Sequence, residues 1–371
     1  MSAARPAPGR HSDDWYHARL ALPRRRPRLV IDTDAANEID DHFALAWALL
    51  SPDRLQLDAV YAAPYSFEHR RQEMLRARRA RDEPHRARAG DHALLRQHGA
   101  RLAHFERRGW DPATVQLAPF CDPGEGMRRS HAQIGQVFEA LRLSPAGRVW
   151  PGSAGYLQAA DGPQPSPAAD HLIALARSMP DDEPLYVVAI GCVTNLVSAW
   201  LAAPDIADKI VVVWTSGYPS HAPQVNYSLN LEQDLTASRL LFDSGIPLVY
   251  LPGFHVGAQL RLSWPEVQAH VDGRGAIGRH LARLYAHNPL FEMLGIERLD
   301  GLSWVIWDLI TIAWLVEPAW VPSDLVRTPR LGADRRWRRG PRNRPPMREA
   351  YAVARDAIFG DLVARLSTAP D

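Results

Sequence analysis

The apolar run Leu29-Val30-Ile31 passes directly into Asp32-Thr33-Asp34-Ala35-Ala36-Asn37-Glu38-Ile39-Asp40-Asp41-His42, and then into Phe43-Ala44-Leu45-Ala46-Trp47-Ala48-Leu49-Leu50. A short β-branched run followed by apolar residues at helical spacing is the pattern of a buried parallel strand feeding a helix. That constrains the chain to an open α/β sheet, with the acids on the strand-to-helix turn where such sheets bind ligands. Five carboxylates so close together repel one another unless a cation or an arginine offsets them. Crowded hard oxygens suit Ca²⁺ or Mg²⁺. Capping and helix-dipole roles would account for acids singly, Asp32 and Asp34 on the turn and Asp40 and Asp41 at the helix start, but not for all five together.

The same alternation continues downstream. Residues 57–63, a short run near 148–150, and residues 185–190, 209–214 and 246–251 have the composition of core strands, while 129–142, 167–178, 196–202 and 235–243 have helical patterns. Strands alternating with helices predict a Rossmann-like, mostly parallel central sheet flanked by helices, in a single domain over residues 27–371. Residues 1–26, with scattered prolines and Arg24-Arg25-Arg26, are expected to be a flexible tail. Residues 68–116 are arginine-rich and helix-permissive, an insertion expected to be either a solvated helical excursion or a partly disordered arm. Sparse aromatic interleaving argues against a nucleic-acid surface there. The basic stretch 335–342, rich in turn residues, predicts a solvated hairpin.

A net charge of +1 over 371 residues, 23% of them charged, gives no global drive toward nucleic acid or anionic membrane. No apolar run approaches the roughly 18 residues of a membrane span, and no leader-type apolar segment precedes the first strand. Cys121 and Cys192 lack paired spacing, so neither a disulfide framework nor a cysteine metal site is indicated, and a cytoplasmic, reducing location fits. Lys209 is the only lysine, and no Gly-Lys-Ser/Thr phosphate loop is present.

A second acid needs a partner. The segment Trp304–Val316 is apolar on nearly every face, which predicts a central helix, with Asp308 in its middle. A buried carboxylate must be protonated, paired with an arginine or bound to a metal.

Taken together these blocks resemble the nucleoside hydrolase family, the calcium-dependent N-ribohydrolases, in a divergent branch. The family opens with Asp-Thr-Asp-Pro-Gly-x-Asp-Asp, matched here by Asp32-Thr33-Asp34 and Asp40-Asp41 with two extra residues between. Its Leu-Thr-Asn turn is matched by Val193-Thr194-Asn195, its Asn-x-x-x-Asp by Asn230 and Asp234, and its late His-Asp or Trp-Asp by Trp307-Asp308. The order and spacing fit along roughly residues 28 to 320. The resemblance implies the nucleoside hydrolase fold and Ca²⁺ held by Asp34, Asp41, the Thr194 carbonyl and Asp308, with Asp34 as general base. It further implies Asp40, Asn230, Asp308 and Ser228 around a ribose and Trp307 against the base, with a lean toward purines and a place in nucleoside metabolism and purine salvage. A small-molecule nucleoside substrate and a homo-oligomer are the corresponding partners.

Departures from the family pattern leave alternatives open. Ser228 stands where the family usually has a glutamate near the ribose 5′-hydroxyl, Ser66 where it has an asparagine, and the lengthened turn lets either Asp40 or Glu38 face the sugar. The alternatives are a non-catalytic or altered-substrate ribosyl-binding relative and a haloacid-dehalogenase-type phosphatase, which shares only the first Asp-x-Asp block.

Overall fold

The computed structural model describes residues 11–23, 26–160 and 162–371. Eight strands form the central sheet: β1 Arg28–Thr33, β2 Gln56–Ala62, β3 Val149–Pro151, β4 Leu185–Ala189, β5 Ile210–Ser216, β6 Leu248–Pro252, β7 Ser323–Arg327 and β8 Pro346–Ala350. Their spatial order is β3-β2-β1-β4-β5-β6-β8-β7, parallel throughout except for β7, which runs antiparallel to β8 at one edge. The expected mostly parallel sheet is present.

Side chains alternate across the strands, and helices cover both faces. Leu29, Ile31, Val188, Val211, Val213, Val249 and Leu251 face one core, where Phe43 and Trp47 of the helix Asp40–Leu49 pack. Val30, Tyr61, Val187, Val212, Trp214 and Tyr250 face the other, under the helices Pro167–Ser178 and Thr194–Ala202. Order along the sheet reverses between β1 and β4, which pair with Asp32 opposite Ala189. The turns after these two strands therefore diverge and leave a crevice at their carboxyl ends.

Two expectations are corrected, and one left open is decided. The arginine-rich insertion takes the helical form, an ordered pair of helices, Glu68–Asp82 and Asp91–Arg107. Met74, Ala77, Leu94, Leu102 and Phe105 give the pair a core of its own, continuous with Leu290 and Met293. Its arginines are largely turned outward into ion pairs such as Arg76–Asp91 and Arg81–Glu106. The expected tail contains a docked helix, Asp13–Arg19, because Tyr16 and Leu20 are apolar enough to bury on the core; residues 1–10 and 24–25 lie outside the described residues. The continuous helix over 304–316 is interrupted. Ser303–Val305 is a strand paired with Arg261–Ser263, the helix starts at Leu309, and Asp308 sits at its N-cap. Aromatic and β-branched residues at 304–306 favour extended pairing over another helical turn.

The basic stretch near 335 does form a hairpin, Arg330–Leu331 against Trp337–Arg338. Its tip residue Arg335 does more than meet solvent, as described below.

Candidate active site

The crevice between the β1 and β4 turns opens into a cavity of about 350 Å³ lined by acids, aromatics and two arginines. Asp34, Asp40 and Asp41 reach it from the β1 turn and the first turn of the following helix, and Asp308 from the N-cap of Leu309–Val316. One carboxylate oxygen each from Asp40, Asp41 and Asp308 lie within 4.8 Å of one another, all three side chains being buried. Thr33 Oγ1 donates to Asp41, and Gln233 Nε2 donates to Asp34 Oδ2 at 3.1 Å. The other oxygen of Asp34, Oδ1, is buried with no hydrogen-bond partner, an arrangement rare for a carboxylate unless an ion or ligand completes it.

Electrostatics point the same way. Burial raises the pKa of Asp34 to about 7 despite the Gln233 hydrogen bond. Burial, together with the nearby carboxylates, pushes Asp40, Asp41 and Asp308 well above the usual carboxylate range. Glu38 rises to about 8 through burial, although Trp304 Nε1 donates to it at 2.6 Å. Such carboxylates release their protons only in exchange for a positive charge. The donor set is all hard oxygen. His42, which follows the cluster in sequence, turns away to Ala35 O at 2.7 Å and His280 at 3.0 Å. These residues fit a divalent cation of the Ca²⁺ or Mg²⁺ type and not a nitrogen- or sulfur-seeking metal.

Two β4-turn features shape the site. A Cβ on Gly191 would lie 3.0 Å from Asp34 Cγ, so only glycine lets the turn approach this closely. Ile190 lines the cavity, and its carbonyl accepts from Asn230 Nδ2 at 2.9 Å. Thr194, expected to offer its carbonyl, does not line the cavity. It is the first residue of the helix Thr194–Ala202, where a carbonyl is directed along the helix, and its hydroxyl donates to Asp234 Oδ2 at 2.6 Å. Asp234 in turn caps the helix Leu235–Ser244, so this pair holds the scaffold together. Asn195 acts similarly by donating to Asp32 Oδ1 at 2.8 Å.

The remaining expected residues gather around the acids. Asn230, Ser228 and Trp307 all line the cavity, and Ser228 accepts a hydrogen bond from Ser216 at 3.2 Å. Trp307 is only partly buried and meets Phe254 edge-on, with ring centroids 5.8 Å apart, so the indole belongs to the cavity wall more than to the core. Ser66 is buried and bonded to Cys121 O at 2.8 Å, away from the lining. Sequence reasoning missed Gln233, Trp304, Ile190, Arg70 and Arg101. Gln233 sits inside the Asn230–Asp234 motif and was within reach; the arginines were hidden in a run of similar residues.

An open α/β sheet with a buried acidic cluster and an aromatic wall at its switch point defines a small-molecule site whose acids are suited to a divalent cation. Residues 29–342 match the family described as "Inosine-uridine preferring nucleoside hydrolase", and the chain belongs to that family. The non-specific ribonucleoside hydrolase RihC of Shigella flexneri is 30% identical over 140 residues. That alignment spans 37% of this chain and 42% of the relative's length. A purine-preferring ribonucleoside hydrolase from Gardnerella vaginalis superposes with a TM-score of 0.60 at 19% identity, covering 92% of this chain and 98% of that one. A plant nucleoside hydrolase, PpNRh1, does so with 0.56 at 18% identity, covering 92% and 99%. These solved structures share the fold. The phosphatase alternative lapses with the family assignment. Among the described residues no helix is long and apolar enough to cross a membrane.

Proposed function

We propose that the protein hydrolyses the N-glycosidic bond of ribonucleosides, purines preferentially, to free base and ribose. The observation that carries this reading is the orphaned, buried Oδ1 of Asp34 beside the Asp40–Asp41–Asp308 cluster, in a cavity of nucleoside size. Asp34, Asp41 and Asp308, with the Ile190 carbonyl in place of Thr194, would hold a Ca²⁺ ion. When bound, it supplies Lewis-acid binding of the ribose diol and of a water.

The protein residues do the rest. Asp34 accepts a proton from a water as its oxygen forms a bond to C1′, and returns it to solvent. The C1′–N bond breaks, and its electron pair leaves with the base, which takes a proton from solvent. Asp40 and Asn230 hydrogen-bond the sugar hydroxyls, favouring an oxocarbenium-like transition state. Trp307 and Phe254 offer the base an aromatic face. The non-specific and purine-preferring activities in the relatives' names support this reading and its purine lean. We place the protein in the cytoplasm, in keeping with its two free cysteines.

The test is release of free ribose from purine and pyrimidine ribonucleosides, with Ca²⁺ and with excess chelator. Calcium-dependent release that falls at least about a thousandfold in Asp34→Ala is expected from loss of a base and metal ligand. Tight calcium binding without release from any nucleoside would favour the ribosyl-binding alternative.

A further inference from the structure

The cavity has a third kind of wall that a neutral nucleoside does not need. Beside the acids and the aromatics stand two guanidiniums, Arg70 from the helix Glu68–Asp82 and Arg101 from the helix Asp91–Arg107. Both belong to the arginine-rich insertion, so these helices form part of the cavity.

The two cations are held differently. Arg70 is fixed: its Nε donates to Glu232 at 2.9 Å and its terminal nitrogen to Tyr227 O at 3.1 Å. Glu232 is buried and shared with Arg335 at 2.6 Å and His69 at 3.0 Å. Arg335 also reaches Glu73 at 3.1 Å, and Glu73 receives His98. Arg101 has only His98 Nδ1, at 3.1 Å, and its Nε is buried without a partner. Among the described residues no carboxylate lies within ion-pair distance of it. In this network Arg70, Arg101 and Arg335 face Glu73 and Glu232, with Glu38 of the cavity lining also acting on Arg70. Burial and the neighbouring Arg70 charge lower the Arg101 pKa to about 10, offset in part by Glu232 and Glu73, which lie beyond ion-pair distance.

A cavity-lining guanidinium with no carboxylate at ion-pair distance, beside a second one braced by a glutamate, is suited to a tetrahedral oxyanion. We propose that the substrate is a ribosyl compound carrying a 5′-phosphate, with Arg101 and Arg70 receiving the phosphate while the acidic cluster holds the diol. The inference rests on the N-ribohydrolase reading above and names its substrate class. Water adds its oxygen to C1′, the C1′–N bond breaks, one water proton goes to Asp34 and on to solvent, and the leaving nitrogen takes a proton from solvent. The products are a free base and ribose 5-phosphate, with no other reactant. The Tyr227 carbonyl that anchors Arg70 adjoins Ser228, an uncharged residue on the same wall, while the carboxylates near Arg70 are Glu232, which braces it, and Glu38 on the cavity lining.

The test compares inosine with inosine 5′-monophosphate in turnover, and ribose with ribose 5-phosphate in calorimetric binding, all with Ca²⁺, in wild type, Arg101→Gln and Arg101→Lys. The phosphorylated member should be favoured about ten- to a hundredfold in both comparisons, the span of one or two charge-assisted hydrogen bonds. The preference should collapse in Arg101→Gln and recover in part in Arg101→Lys, with calcium binding by each variant reporting an intact fold. Wild-type ratios at or below one, or a preference that survives Arg101→Gln, overturn the inference. Inosine turnover without phosphate preference leaves the hydrolase reading standing and removes this one. An Arg101-dependent preference for ribose 5-phosphate with no turnover of either substrate does the reverse.

Discussion

At the scale of single residues, Asp34 is set apart from its neighbours by geometry more than by charge. Among the acids that line the cavity it alone combines a hydrogen bond from Gln233 on one oxygen with an orphaned second oxygen, a pattern Asp32 shares outside the lining, and it lies tightly against Gly191. Gly191→Ala would place a methyl 3.0 Å from Asp34 Cγ, forcing the carboxylate to shift by a few tenths of an ångström. Calcium affinity by calorimetry should fall about tenfold, the usual scale for disturbing a group that orients a ligand. An unchanged affinity would mean that Asp34 does not ligate the ion. Asp34, Asp40, Asp41 and Asp308 were legible in the sequence because unpaired acids beside apolar runs carry an evident energetic problem. Ile190 and Gln233 were not, since a main-chain carbonyl has no letter of its own and a glutamine at a helix edge looks ordinary.

At the scale of elements, periodicity identified most strands and helices, but it failed where the chain changes structure type without a break in hydrophobicity. Trp304–Val316 is apolar throughout, so nothing in its pattern marked the switch from strand to helix that puts Asp308 at an N-cap, facing the cavity. The arginine-rich insertion stayed open between a helical excursion and a disordered arm for the opposite reason. Its arginines masked a sparse set of apolar positions, Met74, Ala77, Leu94, Leu102 and Phe105, that suffice to pack two helices together. The Glu73–His98–Arg335 contacts tie this pair to the distant hairpin. Burial pushes Glu73 upward, yet the His98 hydrogen bond and the Arg335 charge bring it from its ordinary 4.5 down to about 2. A carboxyl depressed on folding stabilises the protein above pH 4.5, and that contribution fades as the pH falls toward 2. Urea denaturation across this window should show a shallower acid decline for Glu73→Gln than for wild type. Parallel pH profiles would show that the tie contributes nothing.

At the scale of the whole molecule, the reversal of strand order between β1 and β4 decides where a ligand goes. The alternating pattern made that sheet legible, whereas the order of its strands became visible only in three dimensions, because nothing local specifies which strand lies beside β1. The same arrangement concentrates buried carboxyls at the centre of the fold, so a cation bound there in exchange for their protons should stabilise the entire domain. At calcium concentrations a hundredfold above its dissociation constant the gain is about 2.7 kcal/mol, seen as a rise of several degrees in melting temperature that chelator reverses. No rise would mean that the acids remain protonated and the cation does not bind there. The wide sequence separation of the cluster has a consequence for biosynthesis. Asp308 follows Asp34 by 274 residues, so a nascent chain cannot assemble the complete set of carboxylates until that whole stretch has left the ribosome. Capture of an ion there would thus come late, and a truncated product ending before Asp308 would lack one of the clustered carboxylates.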